Sequence, residues 1–162
     1  FDYVLERTRD ELLGKTAMAK RWFPLQFAIA RKREHNAMAL LDASPEECLG
    51  NNGKETAVYL ACIRLSVKCF RAVLAATPSE VLYADFPLSD GTNGTIFHAL
   101  AVEKKVIVEN LRELLSYAPM LKFQTNDNGQ TPLEYVAACR VCGGPLQEVI
   151  GLLSTRMAKR AE

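Results

Sequence analysis

Apolar residues recur at helical spacing through most of the chain. In residues 67–74, Val67, Phe70, Val73 and Leu74 stand three or four positions apart, which places them on one face of a helix. Proline follows several such segments, where it stops a helix. The pattern predicts an all-α fold of paired antiparallel helices, stacked side by side and joined by turn-rich connections.

The starts of the predicted helices repeat along the chain. Related six-residue segments begin at Phe23, Thr56, Thr95 and Thr131, at separations of 33, 39 and 36 residues. A second landmark, an apolar helix end closed by proline, recurs at residues 39–45, 72–78 and 113–119. Two landmarks that keep the same order indicate a repeated helix–turn–helix unit.

Residue types within each unit fit this interpretation. Threonine caps a helix through its side-chain oxygen, and Pro24 and Pro132 suit a first helical position. Pairs such as Asp90-Gly91 and Asn128-Gly129 form turns. Small residues at matching positions allow helices to approach closely, and these are Ala28, Ala61, Ala101 and Ala137.

Residues 129–137, Gly-Gln-Thr-Pro-Leu-Glu-Tyr-Val-Ala, resemble the ankyrin repeat signature Gly-x-Thr-Pro-Leu-His-x-Ala. Residues 94–101, Gly-Thr-Ile-Phe-His-Ala-Leu-Ala, give a second version. The resemblance covers roughly residues 16–156 and implies a solenoid of about four ankyrin-like units. It also implies that His98 ties neighbouring turns together by hydrogen bonds, whereas Gln26, Tyr59 and Glu134 replace that histidine elsewhere.

The resemblance predicts how the chain is divided. We expect residues 1–15 to form an N-terminal capping helix or the end of a preceding repeat. Residues 16–162 form the ankyrin repeat stack, with units at about 20–50, 51–88, 89–125 and 126–158. The start at Phe1 rather than Met suggests a piece of a longer protein.

The charge and the cysteine content of the chain limit the classes of function to be considered. The net charge is +1, from 20 basic and 19 acidic residues, which gives no electrostatic basis for binding nucleic acid. No apolar run approaches the roughly 18–20 residues that span a bilayer, so we expect no membrane insertion. The five cysteines, an odd number in apolar settings, predict reduced thiols and a cytoplasmic or nuclear protein.

The sequence contains few residues in patterns that would bind a metal, bind a phosphate group or carry out catalysis. Cys139 and Cys142 form a lone Cys-x-x-Cys pair, whereas a structural zinc site needs four ligands. Gly14-Lys15-Thr16 imitates the end of a phosphate-binding loop, but Arg9 stands where that loop needs glycine. Only two histidines are present as candidate bases. We therefore expect no enzymatic activity, no cofactor and no metal.

The resemblance implies a binding module. Its partner would be a protein or peptide, held by the concave groove and the finger loops, as in a pathogen or viral adaptor or inhibitor. One alternative is a regulatory ankyrin region of a larger protein, such as a channel or multidomain enzyme. A less favoured alternative is a metal- or redox-sensing module built on Cys139 and Cys142.

The predicted contact residues follow from their positions in the repeat. Residues 83–94 form the longest irregular stretch, and insertions in repeat proteins often carry the binding face. Phe86 and Leu88 in this stretch either fold back on the domain or anchor a partner. The predicted partner-binding residues are Arg31, Asn51, Asn52, Glu55, Arg64, Phe86, Leu88, Asp90, Thr92, Glu103, Thr125, Asp127, Asn128 and Gln130.

Overall fold

The computed structural model describes residues 23–45, 56–139 and 146–154. These ranges hold nine α-helices, one 3₁₀ helix and a single two-stranded sheet, so the mostly helical fold is as predicted. The predicted segment 1–15 lies outside the described residues, as do Asn51, Asn52, Glu55 and Cys142.

The chain divides into two compact units, with the boundary after Pro78. Within the second unit, Phe86 pairs with Gly94 across a short antiparallel hairpin. This pairing joins residues 79–88 to the helix that follows the hairpin.

The first unit contains two helix pairs. They are α1 (Pro24–Ala30) with α2 (Glu34–Ala43), and α3 (Ala57–Arg64) with α4 (Val67–Ala76). The connections within the pairs are short, as expected for antiparallel neighbours. Helix α1 packs against α3, and α2 packs against α4, so the two pairs stack in the same orientation.

The second unit repeats this packing. After α5 (Ser79–Tyr83), β1 (Phe86–Pro87) and β2 (Asn93–Gly94) come α6 (Ile96–Ala101) and α7 (Val108–Tyr117). A 3₁₀ helix (Pro119–Phe123), α8 (Pro132–Ala138) and α9 (Leu146–Ser154) complete it. Helix α6 packs against α8, and α7 against α9.

The four predicted helix starts have one local geometry. Phe23, Thr56, Thr95 and Thr131 are all extended, with ψ of 153°, 155°, 165° and 162°. At three of the starts, the side chain three residues later accepts the backbone N–H of the residue before the helix. The acceptors are Gln26, His98 and Glu134, so three different side chains perform the same role at equivalent helix positions.

Buried apolar side chains form the core of each unit. In the first unit these include Leu25, Ile29 and Phe70, and in the second Phe97 and Leu111. Ala28, Ala61 and Ala101 are buried where helices meet, as predicted. Ala137 is exposed, so the prediction of close helix approach is wrong there, because α8 buries Tyr135 and Val136 instead.

The stretch at residues 83–94 is an ordered hairpin rather than an irregular loop. Phe86 and Leu88 are only 5% and 6% exposed, so they fold back on their own unit. Gly94 suits this packing, since a Cβ there would lie 3.0 Å from the Leu88 Cδ1 and 3.1 Å from the His98 ring, which would have to shift. Within the described ranges, no helix combines the length and the apolar character needed to cross a bilayer.

The Thr131→Ala substitution tests the cap of α8. Thr131 Oγ1 lies 2.8 Å from Glu134 Oε2, and it accepts the backbone N–H of Glu134 at 3.4 Å. Losing a threonine cap costs about 1 kcal/mol of unfolding free energy. Thr125→Ala, at an exposed site outside the helices, should stay within about 0.5 kcal/mol of the wild type in urea denaturation. Equal effects of the two changes would contradict the capping role.

Candidate binding surface

The tip of the β1–β2 hairpin is fixed by its own hydrogen bonds. The Leu88 N–H donates to the Thr92 carbonyl at 2.8 Å. Asp90 Oδ1 accepts from the hydroxyl of Thr92 at 2.7 Å and from its N–H at 3.0 Å. The Thr92 hydroxyl and amide lower the pKa of the Asp90 carboxyl below its usual value, so the tip carries a negative charge at neutral pH.

A second turn, residues 126–130, is organised by a buried asparagine. The Asn126 Oδ1 atom accepts the N–H groups of Asn128 and Gln130 at 3.1 and 2.8 Å. The Asn126 N–H donates to the Gln130 carbonyl at 2.9 Å. Gly129 closes the turn at a φ of +72°, a value that glycine adopts without steric cost.

These two turns are joined by backbone and side-chain bonds. The Asp127 N–H donates to the Asn93 carbonyl at 2.9 Å, and the Asn93 N–H donates to Asp127 Oδ2 at 2.8 Å. The carboxylate thus takes the place of a carbonyl in a strand-like pairing. The spacing between the two turns is therefore set by two hydrogen bonds at their tips.

His98 forms a third connection, beneath the tips. The Thr95 N–H donates to His98 Nδ1 at 3.1 Å, so the hydrogen of the neutral ring lies on Nε2. Nε2 donates to the Gln130 carbonyl at 2.9 Å, which is the link between turns that the resemblance implied. The ring is buried and meets Tyr135 edge to face, with centroids 5.8 Å apart. Burial lowers the His98 pKa, and the bond to Gln130 opposes this shift.

Five of the predicted contact residues come together at these turns. Asp90, Asp127 and Asn128 are exposed, and Thr92 and Gln130 are partly exposed. Thr125, also exposed, lies directly before the second turn. Glu103 follows α6 and is half-buried, and its carboxylate accepts the Lys105 N–H at 3.1 Å. Asn93, which joins the two turns, was missing from the predicted set, although the Asn93-Gly94 pair marked a turn.

Two predicted residues belong to the first unit. Arg31 directly follows α1 and Arg64 ends α3, and these two helices pack together. The Arg31 guanidinium lies 5.3 Å from the centre of the Phe27 ring. The finger residues predicted for this unit, Asn51, Asn52 and Glu55, lie outside the described ranges.

The prediction that Phe86 and Leu88 anchor a partner is not supported, because both side chains are buried. Apart from Tyr83, the large exposed apolar side chains described in the second unit lie around its 3₁₀ helix. Tyr117, Met120 and Phe123 are 51%, 49% and 49% exposed. They recur every third residue around the 3₁₀ helix, opposite the buried Ala118 and Leu121. This three-residue spacing of large apolar side chains is the signal in the sequence that marks the exposed face.

Cys62, Cys69 and Cys139 are present as thiols rather than in disulfides. Cys62 and Cys69 are buried, and burial raises the pKa of both thiols. Cys139 is exposed at the end of α8. Across the described ranges, no cluster of three or more His, Cys, Asp or Glu side chains has the geometry of a metal site.

Comparisons with models of known protein families, with curated proteins and with solved structures found no match. The interpretation of the chain therefore rests on its own residues and geometry.

His98 should make stability depend on pH. Its pKa in the folded protein lies below the ordinary value of 6.5, so the unfolded chain takes up a proton first as the pH falls. Stability is full above about pH 6.5 and declines below it. Protonation also places a hydrogen on Nδ1, facing the Thr95 N–H. Urea unfolding between pH 7.5 and about 5.5, above the usual carboxyl range, should show this loss.

Two histidine variants test the assignment. His98→Gln removes the titrating ring but keeps an acceptor of the kind that Gln26 supplies in the first unit. This variant should lose most of the pH dependence. His35→Gln, at an exposed position, should retain it. A pH profile unchanged by His98→Gln would rule out the buried ring as its source.

Proposed function

We propose that this protein is a binding module of ankyrin type, and that the second unit binds a protein or peptide through its two joined turns. We call the exposed side of these turns, formed by Asp90, Thr92, Asn93, Asp127 and Asn128, the finger surface. The observation that carries the proposal is the double link between the turns. It consists of the Asn93–Asp127 pair and the His98–Gln130 bond.

Preorganisation is the physical argument for binding. Ordering a loop when a complex forms opposes association, and a loop that is already fixed avoids that cost. In the finger surface, Asp90 holds the first tip and Asn126 holds the second. The exposed groups are therefore presented at fixed positions before a partner arrives.

The chemistry of the surface favours a polypeptide partner. It offers carboxylates, amides and a hydroxyl, which together accept and donate hydrogen bonds. Asp90 and Asp127 favour basic or N–H donor groups and disfavour phosphate. A partner segment with backbone N–H groups or an arginine matches this set.

The repeat character supports the same proposal. The four helix starts share one backbone conformation, and within each unit first helices pack on first helices. Such helix pairs need a neighbour to bury their apolar faces and expose turns along one edge. We therefore assign the helix pairs as four ankyrin-like repeats.

Affinity capture with two charged variants tests the proposal. The finger variant combines Asn128→Arg, in the finger surface, with Thr125→Arg, directly before the second turn, because the structure describes no side-chain hydrogen bond for either residue. The control combines Ser116→Arg and Gly151→Arg, two exposed positions on α7 and α9. A side chain at Gly151 meets open space. Both variants add the same charge, and circular dichroism should show equal helicity.

A protein retained by the wild type and the control, but lost by the finger variant, is the expected result. Its affinity should then be measured with purified components by titration calorimetry. The finger variant should bind at least about tenfold more weakly, as for loss of about 1.4 kcal/mol. Equal affinity of both variants for that protein would exclude the finger surface as its site.

A further inference from the structure

The starts of α2 and α4 are brought together in the first unit. Glu34, the first residue of α2, accepts the Ser66 N–H at 2.5 Å through Oε1. Its Oε2 atom accepts the Ser66 hydroxyl at 3.0 Å and the Cys69 thiol at 3.4 Å. Ser66 precedes α4, so the α1–α2 turn lies beside the α3–α4 turn.

Five basic residues flank this contact. Arg31, Lys32 and Arg33 directly precede Glu34 and are all exposed. Arg64 and Lys68 stand two residues before and two after Ser66, the first partly exposed and the second exposed. We call these five residues the basic turn surface. Within residues 23–45 and 56–78, no carboxylate forms an ion pair with any of them.

Among residues 23–45 and 56–78, the carboxylate nearest to this surface is already engaged. The Ser66 N–H lowers the pKa of Glu34, so that side chain stays ionised and held at the start of α4. The other carboxylate in the described part of the first unit, that of Asp42, lies near the far end of α2. Counted over the described residues of the first unit, the basic turn surface therefore has an excess of positive charge.

Lys32 occupies an unfavourable backbone conformation. Its φ is +55°, in the left-handed region that glycine adopts readily and that other residues reach at a cost. Glycine would hold this turn at less steric cost. The chain instead places a lysine there, between two arginines. Strain of this kind is often found at functional positions.

Arg64 is partly exposed. Its Nε atom is buried and has no hydrogen-bond acceptor among the described residues, so a docked partner would not reach that atom. Carboxylate groups match the fork of an arginine, and the accessible part of this side chain can contribute to their binding.

We propose that the basic turn surface docks an acidic segment of a partner protein. The Glu34 carboxylate binds the N–H and hydroxyl of Ser66, which shows that the start of α4 can hold a carboxylate. The first turns of α2 and α4, each ten residues long, add partial positive charge at the same place. The proposal goes beyond the finger surface, because it concerns different residues in the other unit.

A protein segment fits better than nucleic acid. The whole chain has a net charge of only +1, whereas a phosphate backbone is bound by basic groups along an extended track. Five basic residues at two adjacent turns match a short run of aspartate and glutamate side chains.

The test uses the full chain and a fluorescent peptide of alternating glutamate and serine. The variant combines Arg31→Gln, Lys32→Gly and Arg33→Gln, and the control combines Lys104→Gln, Lys105→Gln and Arg112→Gln. The control removes the same charge from exposed positions in the second unit. Fluorescence anisotropy at low salt should show about tenfold weaker binding by the first variant, from three exposed charge pairs.

Further measurements distinguish binding at the basic turn surface from binding elsewhere on the protein and from an effect on folding. The control and the finger variant should bind the peptide like the wild type, and added salt should weaken binding. Peptide binding by the basic turn surface does not depend on the finger surface, so it is expected even if the finger surface binds no partner. Lys32→Gly alone should melt no lower than the wild type while binding more weakly, which separates charge from folding.

Equal peptide binding by the basic-surface variant and its control would overturn the proposal. So would the absence of measurable peptide binding by the wild type at low salt. A single-stranded oligonucleotide of equal charge that bound more tightly, with the same dependence on Arg31 and Arg33, would overturn it in favour of a nucleic-acid site.

Discussion

The buried ring of His98 makes the hydrogen bonds on which the arrangement of the two turns in the second unit depends. One nitrogen receives the N–H ahead of α6, and the other donates to the carbonyl of Gln130, 32 positions further along the chain. Both bonds require the neutral ring with its hydrogen on Nε2. Burial favours the neutral form, so the surroundings of the ring and its hydrogen-bonding role support each other.

The first unit joins its helix pairs by different chemistry. Gln26 accepts the N–H ahead of α1, but the bond described between the two pairs comes from the ionised Glu34. That carboxylate holds the N–H and hydroxyl of Ser66 at the start of α4. The neutral ring of His98 links two turns in the second unit, and the charged carboxylate of Glu34 links two helix starts in the first unit. In the described part of the first unit, this arrangement leaves basic side chains at its edge that form no ion pair with a carboxylate.

The two units therefore present surfaces of different character. The finger surface is polar and includes two aspartates, fixed before any partner arrives. The basic turn surface gathers exposed lysine and arginine side chains, one of them on a strained backbone. Since each surface favours groups that the other disfavours, the two proposals predict partners of different charge for the two surfaces.

The sequence determined the features that depend on neighbours within four residues. Thr131 and Glu134 cap α8, and glycine and asparagine form the turn before it, because those hydrogen bonds close locally. Tertiary structure decided which distant groups meet. The burial of Phe86, the pairing of Asn93 with Asp127, and the contact of Glu34 with Ser66 all arise when packed helices bring together residues that are far apart in the chain. Residue type and spacing alone do not determine such contacts, because they depend on how the helices pack.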